Sequence, residues 1–237
     1  MKKTSLTILA FAFIAVCLTS AHAIPTGKSN ESGDYLSGTG LSDRLSAGIY
    51  TGSIEREVEY LNTLTVLESQ QTMLYLGLDL TRWLTLFVSG GLADHQVGLL
   101  ESESTQKAEA GILLNLIDHD ILDSSFFEDK LRLNAGASWG YTEAEWLGSE
   151  VRWQEGTAFI TVSIVNDTTG NKIFNPNSVA VYVGPFYNYI DSDDIRLEDD
   201  FGFMAGIEVF MTDHITLDLG LRHMDAMTYE GGVHIRF

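Results

Sequence analysis

Basic side chains are scarce in this chain, proline and cysteine scarcer still, and long apolar runs are missing once the first residues are passed. Lys and Arg number 14 against 33 Asp and Glu, a formal charge of −19. Such a surface repels nucleic acid and offers no polybasic patch to anionic lipid, so nucleic acid is excluded as a partner. The single cysteine, Cys17, precedes residue 24. A chain exported without that leader therefore has no disulfide or thiolate chemistry. No stretch after Ala23 reaches the ~18 apolar residues of a spanning helix, whereas spanning strands carry a far weaker signal and stay open. The motif Gly-x-Ser-x-Gly occurs once, at Gly136-Ala137-Ser138-Trp139-Gly140, but within an alternating strand segment and not at the strand-to-helix turn that exposes a serine nucleophile.

What is present begins with a leader. Lys2 and Lys3, the apolar stretch Leu6 to Leu18 and the small-x-small site Ala21-His22-Ala23 read as a cleaved signal peptide over residues 1–23. Residues 24–43 are rich in Ser, Gly and Asn and lack periodicity, which predicts a flexible N-terminal segment. Removing residues 1–23 takes away Lys2 and Lys3 but no acid, leaving 12 basic side chains against 33 acidic.

From residue 44 to 237 the chain alternates. Ten segments sort into an apolar face and a mixed face with the period of two that defines a strand. In Met73 to Leu80 the apolar set is Leu74, Leu76, Leu78 and Leu80, opposed by Tyr75, Gly77 and Asp79. In Leu131 to Thr142 it is Leu131, Leu133, Ala135, Ala137, Trp139 and Tyr141, opposed by Arg132, Asn134, Gly136, Ser138 and Gly140. The mixed face carries glycine in nearly every segment: Gly48, Gly77, Gly91, Gly111, Gly136, Gly184, Gly206 and Gly220. A water-soluble sandwich would expose that face and would put Lys or Glu there rather than glycine. A membrane barrel turns the apolar face to lipid and the mixed face to a crowded lumen, where glycine makes room.

The expectation is an all-β fold: a transmembrane antiparallel up-and-down β-barrel of about ten strands, or eight if the first or sixth segment fails to pair. Gly52 to Thr72 and Ile190 to Asp200 are expected as long acidic loops on one side, and Trp146 to Gly156 shows no clean alternation. At a tilt of ~40°, ten strands close at a backbone radius of roughly 10 Å. Tyr50, Tyr75, Phe87, Phe159, Tyr182 and Phe210 should then fill much of the bore.

The candidate site is a set of inward charges: Asp79, Glu109, Arg132, Glu208, Asp218, Arg222, Glu230, His234 and Arg236. Buried charges persist only when paired, so these predict a lumen network that fixes barrel shape; an ion or proton path along them is the sharper alternative. Trp83, Trp139, Trp146, Trp153, Tyr141, Tyr187 and Tyr189 are expected as interfacial girdles. Of the histidines, His119 and His214 are placed in turns, and only His95, beside Asp94, and His234 are positioned to act as bases. The acidic runs Asp191-Ser192-Asp193-Asp194 and Glu198-Asp199-Asp200 lack EF-hand spacing, because Ile195 and Arg196 stand where a ligand and a glycine are needed; no metal or cofactor is expected.

The terminal run Tyr229-Glu230-Gly231-Gly232-Val233-His234-Ile235-Arg236-Phe237 completes the pattern. With Tyr229, Gly231, Val233, Ile235 and Phe237 on one face, it resembles the C-terminal assembly signal of bacterial outer-membrane β-barrel proteins. That resemblance covers about Leu45 to Phe237. It implies outer-membrane residence, contact with outer-membrane lipid and insertion by the barrel-assembly machinery, and transfers no substrate. The expected role is structural or adhesive with a largely filled lumen; the alternative is a narrow porin-like channel, and a barrel enzyme comes third.

Overall fold

The computed structural model describes residues 44–121, 129–167, 178–212 and 214–237. The expected signal peptide and N-terminal segment lie outside them. Ten long strands run up and down: β1 (Leu45–Tyr60), β2 (Thr63–Asp79), β3 (Leu84–Val97), β5 (Thr105–Ile121), β6 (Asp129–Trp146), β7 (Ser149–Asp167), β8 (Ser178–Asp191), β10 (Phe201–Phe210), β11 (Ile215–His223) and β12 (Met227–Arg236). Two short strands, β4 (Leu100–Glu101) and β9 (Ile195–Leu197), join them. Neighbours in sequence pair antiparallel, and β12 returns to β1 from Ser46↔Arg236 to Ser53↔Tyr229. The sheet is therefore a closed antiparallel barrel, which removes every free edge along its lower part.

The two faces fall as the alternation requires. Leu74 and Leu76, Val88 and Leu92, Ile160 and Ile164, Val181 and Val183, and Leu219 and Leu221 point out and are exposed. Tyr50, Tyr75, Phe87, Phe159, Tyr182 and Phe210 point in and are buried. From Leu131 to Tyr141 the outer row of β6 runs ~33 Å along the strand, or ~25 Å of height once tilted, the thickness of an outer-membrane apolar band.

Several strands outrun that band, and above it polarity inverts. In β1 the outward residues become Glu55, Glu57 and Glu59 while Arg56 and Val58 turn in and are buried. In β7 Glu150, Arg152 and Gln154 face out, and Val151, Trp153 and Glu155 face in. The expected loops are thus corrected. Residues 52–72 form a continuous β1–β2 hairpin whose ladder reaches Tyr60↔Thr63, and Trp146 to Gly156 is a tight β6–β7 hairpin closed at Trp146↔Ser149. The physical reason is the same in both: a strand that turns apolar-in and charged-out looks, in sequence, like the end of an apolar-out one. On the other side Ile117–Ile121 continue β5 beyond a bulge at residue 116, so His119 lies in a strand and not in a turn.

β10, β11 and β12 stop low, and the chain after β8 compensates. β9 crosses to pair with β1 at Val58↔Leu197, Glu59↔Arg196 and Tyr60↔Ile195. This is the same edge of β1 that β12 leaves at Ser53, so β9 completes the wall above the three short strands.

Inside, rings and glycines are matched across the ladder. Tyr50 stands opposite Gly232, Tyr75 opposite Gly48, Phe87 opposite Gly111, Phe159 opposite Gly136, Tyr182 opposite Gly206 and Phe186 opposite Gly202. A methyl built on Gly206 would overlap the Tyr182 ring, whereas one on outward Gly90 would meet nothing nearer than 3.8 Å. Gly206→Ala should therefore cost ~1–3 kcal/mol through overpacking, and Gly90→Ala should be neutral or add ~0.4–1 kcal/mol by restricting the unfolded chain. Urea titration of the refolded barrel measures both.

Candidate functional site

The lumen is built in layers, each set by which inward positions neighbouring strands bring to one height. The uppermost is apolar. Val58, Leu67, Val97, Ala144, Trp146, Val151, Trp153, Ile190 and Ile195 pack into one cluster. Trp146 and Trp153 stack at 6.1 Å with their planes 8° apart, and Tyr60 meets Trp146 edge-on at 5.6 Å. Both tryptophans are 1 % exposed. They belong to the barrel's cap and not to an interfacial girdle, which corrects the expectation; Trp83, Trp139, Tyr141, Tyr187 and Tyr189 do face outward.

Beneath the cap lies an ion cluster that the sequence reading missed. Arg56 donates to both Glu155 oxygens, at 2.8 and 3.2 Å, while Lys107 Nζ stands 3.5 Å from Oε2 and Asn188 Nδ2 donates to Oε1 at 3.1 Å. All four side chains are buried. The bidentate guanidinium fork fixes geometry as well as charge. Burial by itself raises the Glu155 carboxyl, but Arg56 and Lys107 override it and hold the group well below the carboxylate range. The signal was present in the alternation of Glu55-Arg56-Glu57-Val58-Glu59, where one basic residue sits on the face opposite its acidic neighbours.

His95 lies at the cap's edge, where its outward neighbours Asp94 and Gln96 are polar. Its Nδ1 meets Ser69 Oγ at 2.7 Å, and its ring packs edge-on against Trp153 at 4.9 Å. Asp94 faces outward and accepts from Ser104 instead, so the expected Asp94–His95 neighbourhood is not a working pair. Burial, then the Lys107 and Arg56 charges, push the His95 imidazole down to about 3.

Lower still is a cavity of about 30 Å³ lined by Tyr50, Ile54, Gln71, Lys107, Glu109, Ser138, Gly140, Glu155, Thr157 and Arg222. That is room for roughly one or two water molecules. Rings fill the bore below it: Tyr50, Met73, Tyr75 and Phe87 on one side, and Phe159, Tyr182, Phe186 and Met204 on the other.

The nine charges singled out in the sequence all point into the lumen, but as separate groups rather than one convergent set. Arg222 pairs with Glu230, its guanidinium 5.6 Å above the Phe186 ring. Arg236 Nη2 lies 3.0 Å from Asp79, which also accepts from Thr85, and His234 sits edge-on to Tyr75 at 5.3 Å. Arg132 stands 3.5 Å from Asp118, the neighbour of His119 in the stretch expected as a turn, and 5.9 Å from the Phe210 centroid. Glu208 and Asp218 face each other across β10 and β11, and Tyr182 donates to Asp218 at 3.4 Å. Glu109 borders the small cavity. Tyr229, Ile235 and Phe237 are exposed on the outer face, with Gly231 and Val233 on the same row.

No protein-family model and no curated protein matches the chain. Among solved structures it is similar to the translocator domain of the autotransporter NalP from Neisseria meningitidis, at 10 % identity and TM-score 0.37 over 88 % of this chain and 93 % of that one. The transport unit of the autotransporter AIDA-I from Escherichia coli gives 10 % identity and TM-score 0.41 over 82 % and 90 %. An outer membrane channel from Pseudomonas putida F1 gives 14 % and 0.37 over 86 % and 98 %. Similarity of this size assigns no role.

Because the His95 imidazole titrates lower in the fold than its ordinary 6.5, its contribution to stability is complete above that value and is lost as pH falls from 6.5 toward about 3. Glu155, also depressed, adds a loss that begins only below its ordinary 4.5. The urea midpoint of the wild type should already decline as pH falls below 6.5, and His95→Gln should flatten that early decline. A midpoint equally pH-dependent in both proteins contradicts the assignment.

Proposed function

We propose that this chain is a bacterial outer-membrane barrel whose lumen is closed, serving as a rigid structural or interaction module at the cell surface and not as a pore. The observation that carries this reading is the inversion of polarity along single strands. Below the rim the outer face is Leu, Val, Ile and Phe; above it the outer face is charged and the apolar residues turn inward. Lipid solvates the first arrangement and water the second. A strand carrying both has one end in each solvent.

Closure follows from the same inversion. A conducting pore needs a continuous column of water, and here the bore is filled by the Trp146–Trp153 stack above a buried Arg56–Glu155 pair and by rings below them. The leader, the apolar band and the outward Trp83, Tyr187 and Tyr189 support residence in the outer membrane, with lipid and the barrel-assembly machinery as the partners implied.

Two measurements test the reading. In planar bilayers the wild-type protein should show no stable conductance steps, and Trp146→Ala with Trp153→Ala, which empties the cap, should show none either, because the rings below still fill the bore; steady wild-type currents would instead support a narrow channel. Leu76→Arg, on the outer face at mid-band, should cost ~2–4 kcal/mol when the barrel is refolded in lipid. An unaffected midpoint would show that this face meets water.

A further inference from the structure

Three tight turns at the upper end of the barrel each carry a leucine, and two of them break a local rule of backbone conformation. Two-residue hairpins connect β1 to β2, β3 to β4 and β6 to β7, closed by the pairs Tyr60↔Thr63, Val97↔Leu100 and Trp146↔Ser149. Turns of this kind call for positive φ and favour Asn, Asp or Gly. Here they read Leu61-Asn62, Gly98-Leu99 and Leu147-Gly148. Leu61 and Leu147 are held at φ 50° and 54°, a region that a branched apolar residue occupies only under strain. Backbone outliers of this sort are a reason to look for function.

The side chains these turns carry are among the most exposed apolar groups of the molecule. Leu99 is 98 % exposed, Leu147 85 %, Leu61 64 %, and Leu64 beside it 57 %. Unlike the band leucines they sit above the charged rim, where lipid does not reach. The turns that carry them are linked. The Tyr60–Trp146 contact joins the β1–β2 tip to the β6–β7 tip, and Gly98 donates to Val66 O, laying the β3–β4 tip against β2. Below them runs an acidic collar of exposed Glu55, Glu57, Glu68, Asp94, Glu145 and Glu150, interrupted by Arg152 and Arg196.

We propose that these four leucines and the collar beneath them form a docking surface for a cationic amphipathic segment of another protein, apolar at its centre and Lys- or Arg-rich at its margin. The inference rests on the surface-module reading and names its partner. Apolar anchors within a polar rim are the usual anatomy of a recognition site, and the rim's sign chooses the occupant. A second copy would bring the same negative collar against this one, and an anionic membrane is repelled likewise. A basic partner gains from both parts of the surface.

The test uses the mature chain refolded into phosphatidylcholine nanodiscs, with empty discs as reference. The probe is a short labelled peptide of leucine and lysine whose leucines share one helical face, together with two controls in which serine replaces the leucines or glutamate the lysines. Only the Leu/Lys peptide should bind more to loaded than to empty discs, and added salt should weaken it. Leu61→Asn, Leu99→Asn and Leu147→Asn combined with Leu64→Thr should reduce affinity by on the order of tenfold or more. Asparagine suits the turn conformation, so this variant should keep the heat-modifiable migration of a folded barrel.

Equal binding by the variant, equal binding by either control peptide, or no binding above empty discs overturns the proposal. Leucine-dependent pairing of loaded discs in sedimentation would also overturn it, since the occupant would then be a second copy. Conductance recorded on the same preparations separates the two ideas. A conducting protein that still binds the peptide through its leucines refutes the closed lumen and leaves the docking surface standing.

Discussion

Room inside a ten-stranded ring is the constraint on which the rest of this molecule depends. The wall is close enough to itself that large rings need room across the ladder, and the sheet answers by placing glycine opposite each of six inward rings. Filling the bore this way leaves a small polar cavity. Low in the bore, inward charges find partners within one or two strands, as Arg222 does in Glu230 and Arg236 in Asp79, whereas Arg56 reaches Glu155 across the bore from the opposite wall. Separate pairs at different heights replace the single network that convergence on an axis would suggest.

Height along the strand is the second organising variable. The same period of two runs from Leu45 to Tyr60, but the face that meets solvent changes from Ile49 to Glu55 while the inward face changes from Tyr50 to Val58. The molecule thus joins two barrels of opposite polarity end to end. Arg56, Lys107, Glu155 and Asn188 lie at the junction, where a bidentate pair serves both halves: it is polar enough to sit against the lumen cavity and fully enough paired to sit under an apolar cap.

This explains which parts of the fold are legible in sequence. Strands such as Leu131–Tyr141 declare themselves because one face is uniformly apolar over the whole band, and glycine on the opposite face marks it as the crowded side. The closed ten-strand ring follows from counting such segments. Glu55 to Tyr60 and Glu150 to Glu155 alternate just as strictly, but with the apolar face expected to stay outside they look disordered where only the sign has changed. For that reason Trp146 and Trp153 resemble membrane anchors in sequence, and Arg56 and Glu155 escape notice. Asp118 is hidden differently: the bulge at residue 116 shifts the faces by one residue, and periodicity carries no memory across a bulge. Exposure of Leu61, Leu99 and Leu147 is not legible either, since a leucine in a turn looks in sequence like the end of an apolar row.

The strap formed by β9 bears on how such a wall can be assembled. One edge of β1 receives two different strands, β12 along its lower half and β9 along its upper, and both arrive from the far end of the chain. The first strand made is therefore among the last to be satisfied. Until then its backbone offers one long unpaired ladder, and the two claimants take different heights of it rather than compete for it. The connectivity thus makes closure of the lower ring and of the chamber above it two separate pairings on one strand.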